Sequence, residues 1–248
     1  MSFFAELLKI RTLRSAWVVA GIILTIHLTV SLQNIGLTRD AVDRIGPDGL
    51  IEVFIGERRP AGAELIALLV GSSAQLSLFL PVLAAVIAGQ EFRAGQLGAT
   101  LLAVPRRGRL LAAKSLAFGA HLLVVLLVMI GVSNATMYAA IKDWNPGLLL
   151  TADAVRGQGK FVIFALLYSL LSYALTMIVR STLIGIVITT GLMAVTMAQV
   201  AGPINNLLPL SAGLNLMQGL TSPYPALAVI VGWALVAVLG AWLALERR

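Results

Sequence analysis

The sequence contains no cysteine and only two histidines, His27 and His121. Without thiols there is no disulfide framework and no thiolate metal site, and two distant histidines do not make a His-rich one. Charge is scarce as well: 12% of the 248 residues are Asp, Glu, Lys or Arg, where a soluble domain carries ~25%. The phosphate-binding pattern GxxxxGK[ST] is missing, and so is its companion acidic strand, so the chain carries no nucleotide-hydrolysing motif of its own. His-Glu-x-x-His and Gly-x-Ser-x-Gly do not occur, and no apolar stretch holds paired carboxylates. A membrane-embedded hydrolase or transferase would have no residues to work with.

What the sequence has in abundance is apolar surface. Hydrophobic residues make up 59% of it and the mean hydropathy is +0.95. The outside of a soluble protein of this size must be wetted, so that much apolar area needs lipid as its solvent. Six stretches are apolar over about the 20 residues a bilayer crossing requires: residues 16–32, 63–89, 110–141, 159–179, 182–204 and 225–245. The first follows Met-Ser-Phe-Phe-Ala-Glu-Leu-Leu-Lys with no small-residue cleavage site, which argues against a cleavable signal peptide. The expected fold is therefore one all-α transmembrane domain over residues 1–248, with six spans.

Residues 1–14 precede the first span. Phe3, Phe4, Leu7, Leu8, Ile10 and Leu13 recur at helical spacing and leave Glu6, Lys9, Arg11 and Arg14 for a polar face. This pattern suits an interfacial helix lying among lipid headgroups. Six spans put both termini on one side, with the 90–109 loop. The segments on that side hold eleven Lys or Arg against three acidic residues, and those opposite hold seven against eight. Basic residues favour the cytoplasmic face, so both termini are expected inside. The net charge of +7 is thus a topology signal, and a nucleic-acid partner is not expected. On the outer side, residues 33–62 have room for a short helix lying on the surface. Residues 205–224, with Pro209, Gly213, Gly219 and Pro223, suit either a broken helix re-entering the membrane or an ordinary outer loop.

Polar side chains within the spans are His27, Gln75, His121, Asn134, Thr189, Thr190, Thr196 and Gln199. Most such groups make helix–helix hydrogen bonds. Gln75, His121, Asn134, Thr190 and Gln199 are the candidates for a translocation path. No span carries a mid-membrane carboxylate of the kind used by proton- or sodium-coupled carriers, which points to an apolar or amphipathic cargo.

The inner loop is the most distinctive stretch. It reads QEFRAGQLGATLLAVPRRGRLLAAK over 90–114, with Gly95 and Gly98 allowing a bend, and Leu97, Leu101 and Leu102 forming a small apolar face. Pro105 ends the helix-compatible part, and Arg106, Arg107, Arg109 and Lys114 follow. Its residues alone suit a docking element and a topology-holding connector equally.

This string resembles the first inner loop of ABC-2 type permeases. There a Glu, a Gly and a Thr-Leu-Leu-x-x-Pro-x-Arg pattern ending in Lys follow the second span. The matching residues are Glu91, Arg93, Gly95, Thr100, Leu101, Leu102, Pro105, Arg107 and Lys114, while Gln96 stands where the family has Thr. Looser likenesses are FFAELLKIRTLRSAW to the family's elbow helix, Ile178–Ile186 to its tight turn between the fourth and fifth spans, and Pro203–Gly219 to its last outer segment. The resemblance implies the membrane subunit of a bacterial ABC exporter in the plasma membrane. It would not be an enzyme itself, would pair with a second permease copy or a related chain, and would be powered by two cytoplasmic ATP-binding subunits holding ATP and Mg. Residues 90–109 would be the coupling loop, with Glu91, Arg93, Gly95, Leu97, Thr100, Leu101, Leu102, Pro105 and Arg107 acting toward the ATPase. The cargo would be a drug, antibiotic, peptide or lipid. A non-transporting membrane subunit for signalling or assembly is the alternative.

Overall fold

A computed structural model describes residues 3–54, 56–95, 107–218 and 222–246. Leu97, Thr100, Leu101, Leu102 and Pro105 lie outside the described residues. Among the described residues the chain is helical apart from one β-hairpin and the connecting turns. Five of the described helical segments are long and apolar enough to cross a bilayer: Arg14–Asp43, Ala61–Arg93, Arg107–Ile141, Ala152–Val179 and Pro223–Glu246. Their outer faces carry bare apolar side chains, such as Ile22, Leu127, Ile163 and Leu235. A water-facing surface of that kind would not stay monomeric or soluble. The architecture is that of an all-α, multi-pass membrane protein.

Helix α1 (Phe3–Thr12) is the expected short amphipathic helix. It breaks from α2 (Arg14–Asp43) at Leu13, whose backbone is extended, and Trp17 Nε1 donates to the Arg11 carbonyl across the break. Helix α2 runs eleven residues past the expected end at Leu32. At 1.5 Å per residue it is about 45 Å long, well beyond a ~30 Å hydrocarbon core. The surface helix expected within 33–62 is in fact this extension. After it come β1 (Leu50–Phe54) and β2 (Glu57–Pro60), an antiparallel hairpin that the sequence reading did not foresee. Arg58 pairs with Asp48, and Arg59 with Glu57 and Glu64, around the exposed second strand.

The second span is two helices, α3 (Ala61–Ser77) and α4 (Leu80–Gly89), separated at Leu78–Phe79. Pro81, which has no N–H to donate, lies in the first turn of α4, and it forces the interruption. Ser172 Oγ donates to the Pro81 carbonyl at 2.8 Å, and Thr189 Oγ1 lies 3.2 Å from Ser172 Oγ. A 3-10 turn over Gln90–Gly95 continues from α4.

Helix α5 (Arg107–Ile141) matches the expected third span. Helix α6 (Ala152–Val179) starts seven residues before the expected 159, because Thr151 caps it by accepting from the Ala154 N–H. Of its most apolar stretch 56% is buried, against 28% for α2 and for α9 (Pro223–Glu246), so α6 is the central post of the bundle. It ends in a left-handed residue, Arg180 (φ 55°), and Ser181 then caps the next helix.

The expected span 182–204 is not one helix. Helix α7 (Thr182–Met197) is 16 residues long, about 24 Å, short of a full crossing. The backbone turns left-handed at Gln199 and again at Gly202, a 3-10 turn covers Gly202–Leu207, and α8 (Pro209–Gln218) resumes. The Trp233 indole donates to the Leu207 carbonyl at 2.8 Å. Trp233 is ten residues into α9, about 15 Å along its axis. The turn before α8 therefore lies partway down the bundle, as a broken helix would. Gly213 permits this: a Cβ there would run into the Phe164 ring of α6.

Candidate functional site

Two apolar stripes carry a charge on the buried side. On α1, Phe3, Glu6 and Ile10 share one helical face; on α5, Leu110, Lys114, Phe118 and His121 share another. The structure packs these faces together, and Glu6 and Lys114 are both buried. Glu6 was expected on the polar face of α1, and this is a correction. Burial costs a lone charge too much, and here it has a partner: Lys114 Nζ donates to Glu6 Oε2 at 2.9 Å.

Glu91 joins them from the 3-10 turn that leaves α4. Its Oε2 lies 2.8 Å from Lys114 Nζ, in ion-pair contact but off the hydrogen-bond axis. Its Oε1 accepts from Lys9 Nζ, which is more exposed. The result is a chain of alternating sign, Glu6–Lys114–Glu91–Lys9, tying α1, the exit of α4 and the entry of α5. Tyr173 of α6 and Ile87 close a cavity of about 210 Å³ beside it.

The other end of the 96–106 segment is held as firmly. Arg107 Nη1 donates to the carbonyls of Leu245 and Glu246, and Arg180 Nη2 donates to that of Ala244 at 2.7 Å. These are unpaired acceptors at the C-terminus of α9, where cations also meet the negative end of the helix dipole. Both ends of the segment are thus fastened to the bundle, one to α1 and α5, the other to α9. Of the residues expected to act toward an ATPase, Glu91 and Arg107 are these two anchors. Arg93 is exposed on the turn beside Glu91, and Gly95 ends that turn.

The expected path residues are not gathered in one place. Gln75 stands where two cavities meet, one of about 320 Å³ between α2, α3 and α5 and a larger one among α3, α6 and α8. His121 is buried, with its ring edge-on to Trp17 at 5.2 Å. Asn134 Oδ1 accepts from Gln158 Nε2 at 2.7 Å and so ties α5 to α6. Thr190 and Gln199 are exposed on α7 and the turn after it.

The remaining polar groups hold helices together. His27 Nε2 is 2.9 Å from the Met129 carbonyl and 3.1 Å from Ser133 Oγ, and Ser133 meets Ser73 at 2.7 Å. This links α2, α5 and α3. Thr189 and Thr196 donate to backbone carbonyls of their own helix. Among the described residues no group of three or more His, Asp or Glu is placed to hold a metal. No protein-family model matches the chain, and no curated protein matches it.

Proposed function

We propose that this chain is the permease subunit of a bacterial ATP-driven exporter, moving a hydrophobic or amphipathic substrate out of the cell. A separate ATP-binding subunit supplies the energy. The broken α7–α8 unit counts as the fifth of six crossings, so both termini and the 96–106 segment are cytoplasmic. One observation carries the reading. The segment between the second and third spans is anchored at both ends by charged side chains to helices at opposite places in the sequence.

A connector that only holds topology needs basic residues near lipid, not buried ones. An element that transmits force needs stiff attachment at its base, and Glu91 and Arg107 supply it. The buried ion pairs are more costly than apolar packing would be, so their presence favours a positional role. The absence of a phosphate-binding motif then requires a partner with one.

The test is co-purification with a cytoplasmic ATP-binding protein. Wild-type chain is expected to retain that protein, and Leu101→Asp to lose it while keeping the same melting temperature. Equal retention by both would end the docking claim. ATP-dependent export in vesicles that persists after the proton gradient is dissipated separates this reading from a proton-coupled carrier.

A further inference from the structure

A cavity of about 690 Å³ lies among α3, α6 and α8 and takes no part in the anchor network. Its size falls within the range of small-molecule sites, ~300–1,000 Å³. One wall is a single face of α3, Ile66, Val70 and Ala74 at spacings of four, continued by Leu78 just past its end. From Ala63 to Leu78 it extends about 22 Å, more than half of a ~30 Å hydrocarbon core. Leu214 and Met217 of α8 face it across the cavity.

The two ends of this cavity differ. Deep inside, the lining is apolar apart from Gln75. At the mouth, Arg156 and Lys160 stand one turn apart on α6, with Asp153 nearby. Arg156 contacts Asp153 at 3.3 Å, and both are exposed. Lys160 has no ion-pair or hydrogen-bond partner among the described residues. The mouth therefore keeps a net positive charge above an apolar shaft. The walls are set by close approaches on both sides of α6. A Cβ on Gly157 would meet Val70 Cγ2 at 2.7 Å, and one on Gly213 would strike Phe164.

We infer that this cavity binds a single-chain anionic amphiphile, its acyl chain along α3 and its phosphate or carboxylate head between Arg156 and Lys160. A guanidinium and an ammonium one helical turn apart make charge-assisted hydrogen bonds to such a head. The inference goes beyond the exporter reading and does not depend on it, since binding belongs to the isolated chain.

The absence of native cysteine makes a direct test simple. Leu214→Cys places one thiol in the shaft, and Leu235→Cys places one on the exposed face of α9 as a control. Maleimide labelling is followed on full-length protein in a neutral detergent. The probes are lysophosphatidylglycerol, lysophosphatidylcholine of the same chain length, and glycerol phosphate. Lysophosphatidylglycerol is expected to protect Cys at 214, but not at 235, at concentrations about tenfold below those lysophosphatidylcholine needs. Adding R156Q and K160Q should erase that tenfold difference while leaving weak protection by both lipids. Unchanged melting temperatures of the variants show that folding is intact.

Equal protection by the two lipids overturns the head-group assignment. Protection by glycerol phosphate alone would reduce the site to a surface anion contact. A thiol at 214 that is unreactive before any lipid is added would mean that a second copy or another part of the chain fills the shaft. Either result overturns the proposal.

Discussion

Lys114 is the most exacting single residue in the molecule. It is almost fully enclosed and lies between two carboxylates. Lys114→Met removes the cation and leaves Glu6 and Glu91 buried without it. That change should destabilise the protein by about 3–5 kcal/mol, seen as a marked fall in melting temperature. The triple variant E6Q/E91Q/K114M should recover much of the loss, because neutral side chains there have far less desolvation to overcome. No local pattern announces this cluster as a pair, since Glu6 and Lys114 are 108 positions apart. Each does betray itself within its own helix, as the one charge on an apolar stripe. Reading Glu6 as part of the polar face overlooked that spacing. Arg107 was legible only as a basic residue, because its acceptors are backbone carbonyls 138 and 139 positions away. Replacing Arg107 and Arg180 with Gln should speed amide exchange in the last turn of α9, by removing contacts worth ~0.3–1 kcal/mol each.

Elements were legible where hydropathy alone decides them. The long apolar runs became helices because a backbone in lipid must satisfy its own hydrogen bonds. Extensions into water were not legible that way. Helix α2 continues through Asn34–Asp43, where Asn34, Gly36, Thr38 and Asp40 are weak helix formers that give no local signal for it, and the hairpin has only a nine- to eleven-residue stretch in which to show alternation. The interruption between α7 and α8 was not legible: residues 182–204 read as one apolar span, and the left-handed Gln199 and Gly202, with Pro203 and Pro209, break it. Two substitutions test that break. Trp233→Phe deprives the Leu207 carbonyl of its donor and should cost about 1–3 kcal/mol. Gly213→Ala should cost a similar amount, ~1–3 kcal/mol from overpacking, and Phe164→Leu in the same chain should recover part of it. Thermal melts of the two single variants and the pair give the coupling directly.

At the scale of the whole molecule, the sidedness of the charges and the position of the hairpin make one joint prediction. A thiol at Arg58→Cys, on the hairpin, should react with an impermeant maleimide added outside intact cells. One at Arg11→Cys, on α1, should react only after the membrane is opened. If the site on α1 were labelled from outside, the segment between the second and third spans would face away from any cytoplasmic motor, and the exporter reading would fall with it.

The central place of α6 also bears on how the protein is made. Its Ser169, Ser172 and Thr176 and the Phe161–Phe164 pair are enclosed by neighbours on every side, yet α7, α8 and α9 emerge from the ribosome after it. Until those arrive, α6 packs only against α3, α4 and α5, and the flank that α9 covers in the finished bundle is bare. A nascent chain halted after Gln218 should therefore be cleared by quality-control proteolysis much faster than one halted after Glu246. That outcome would make α9 the latch that completes assembly.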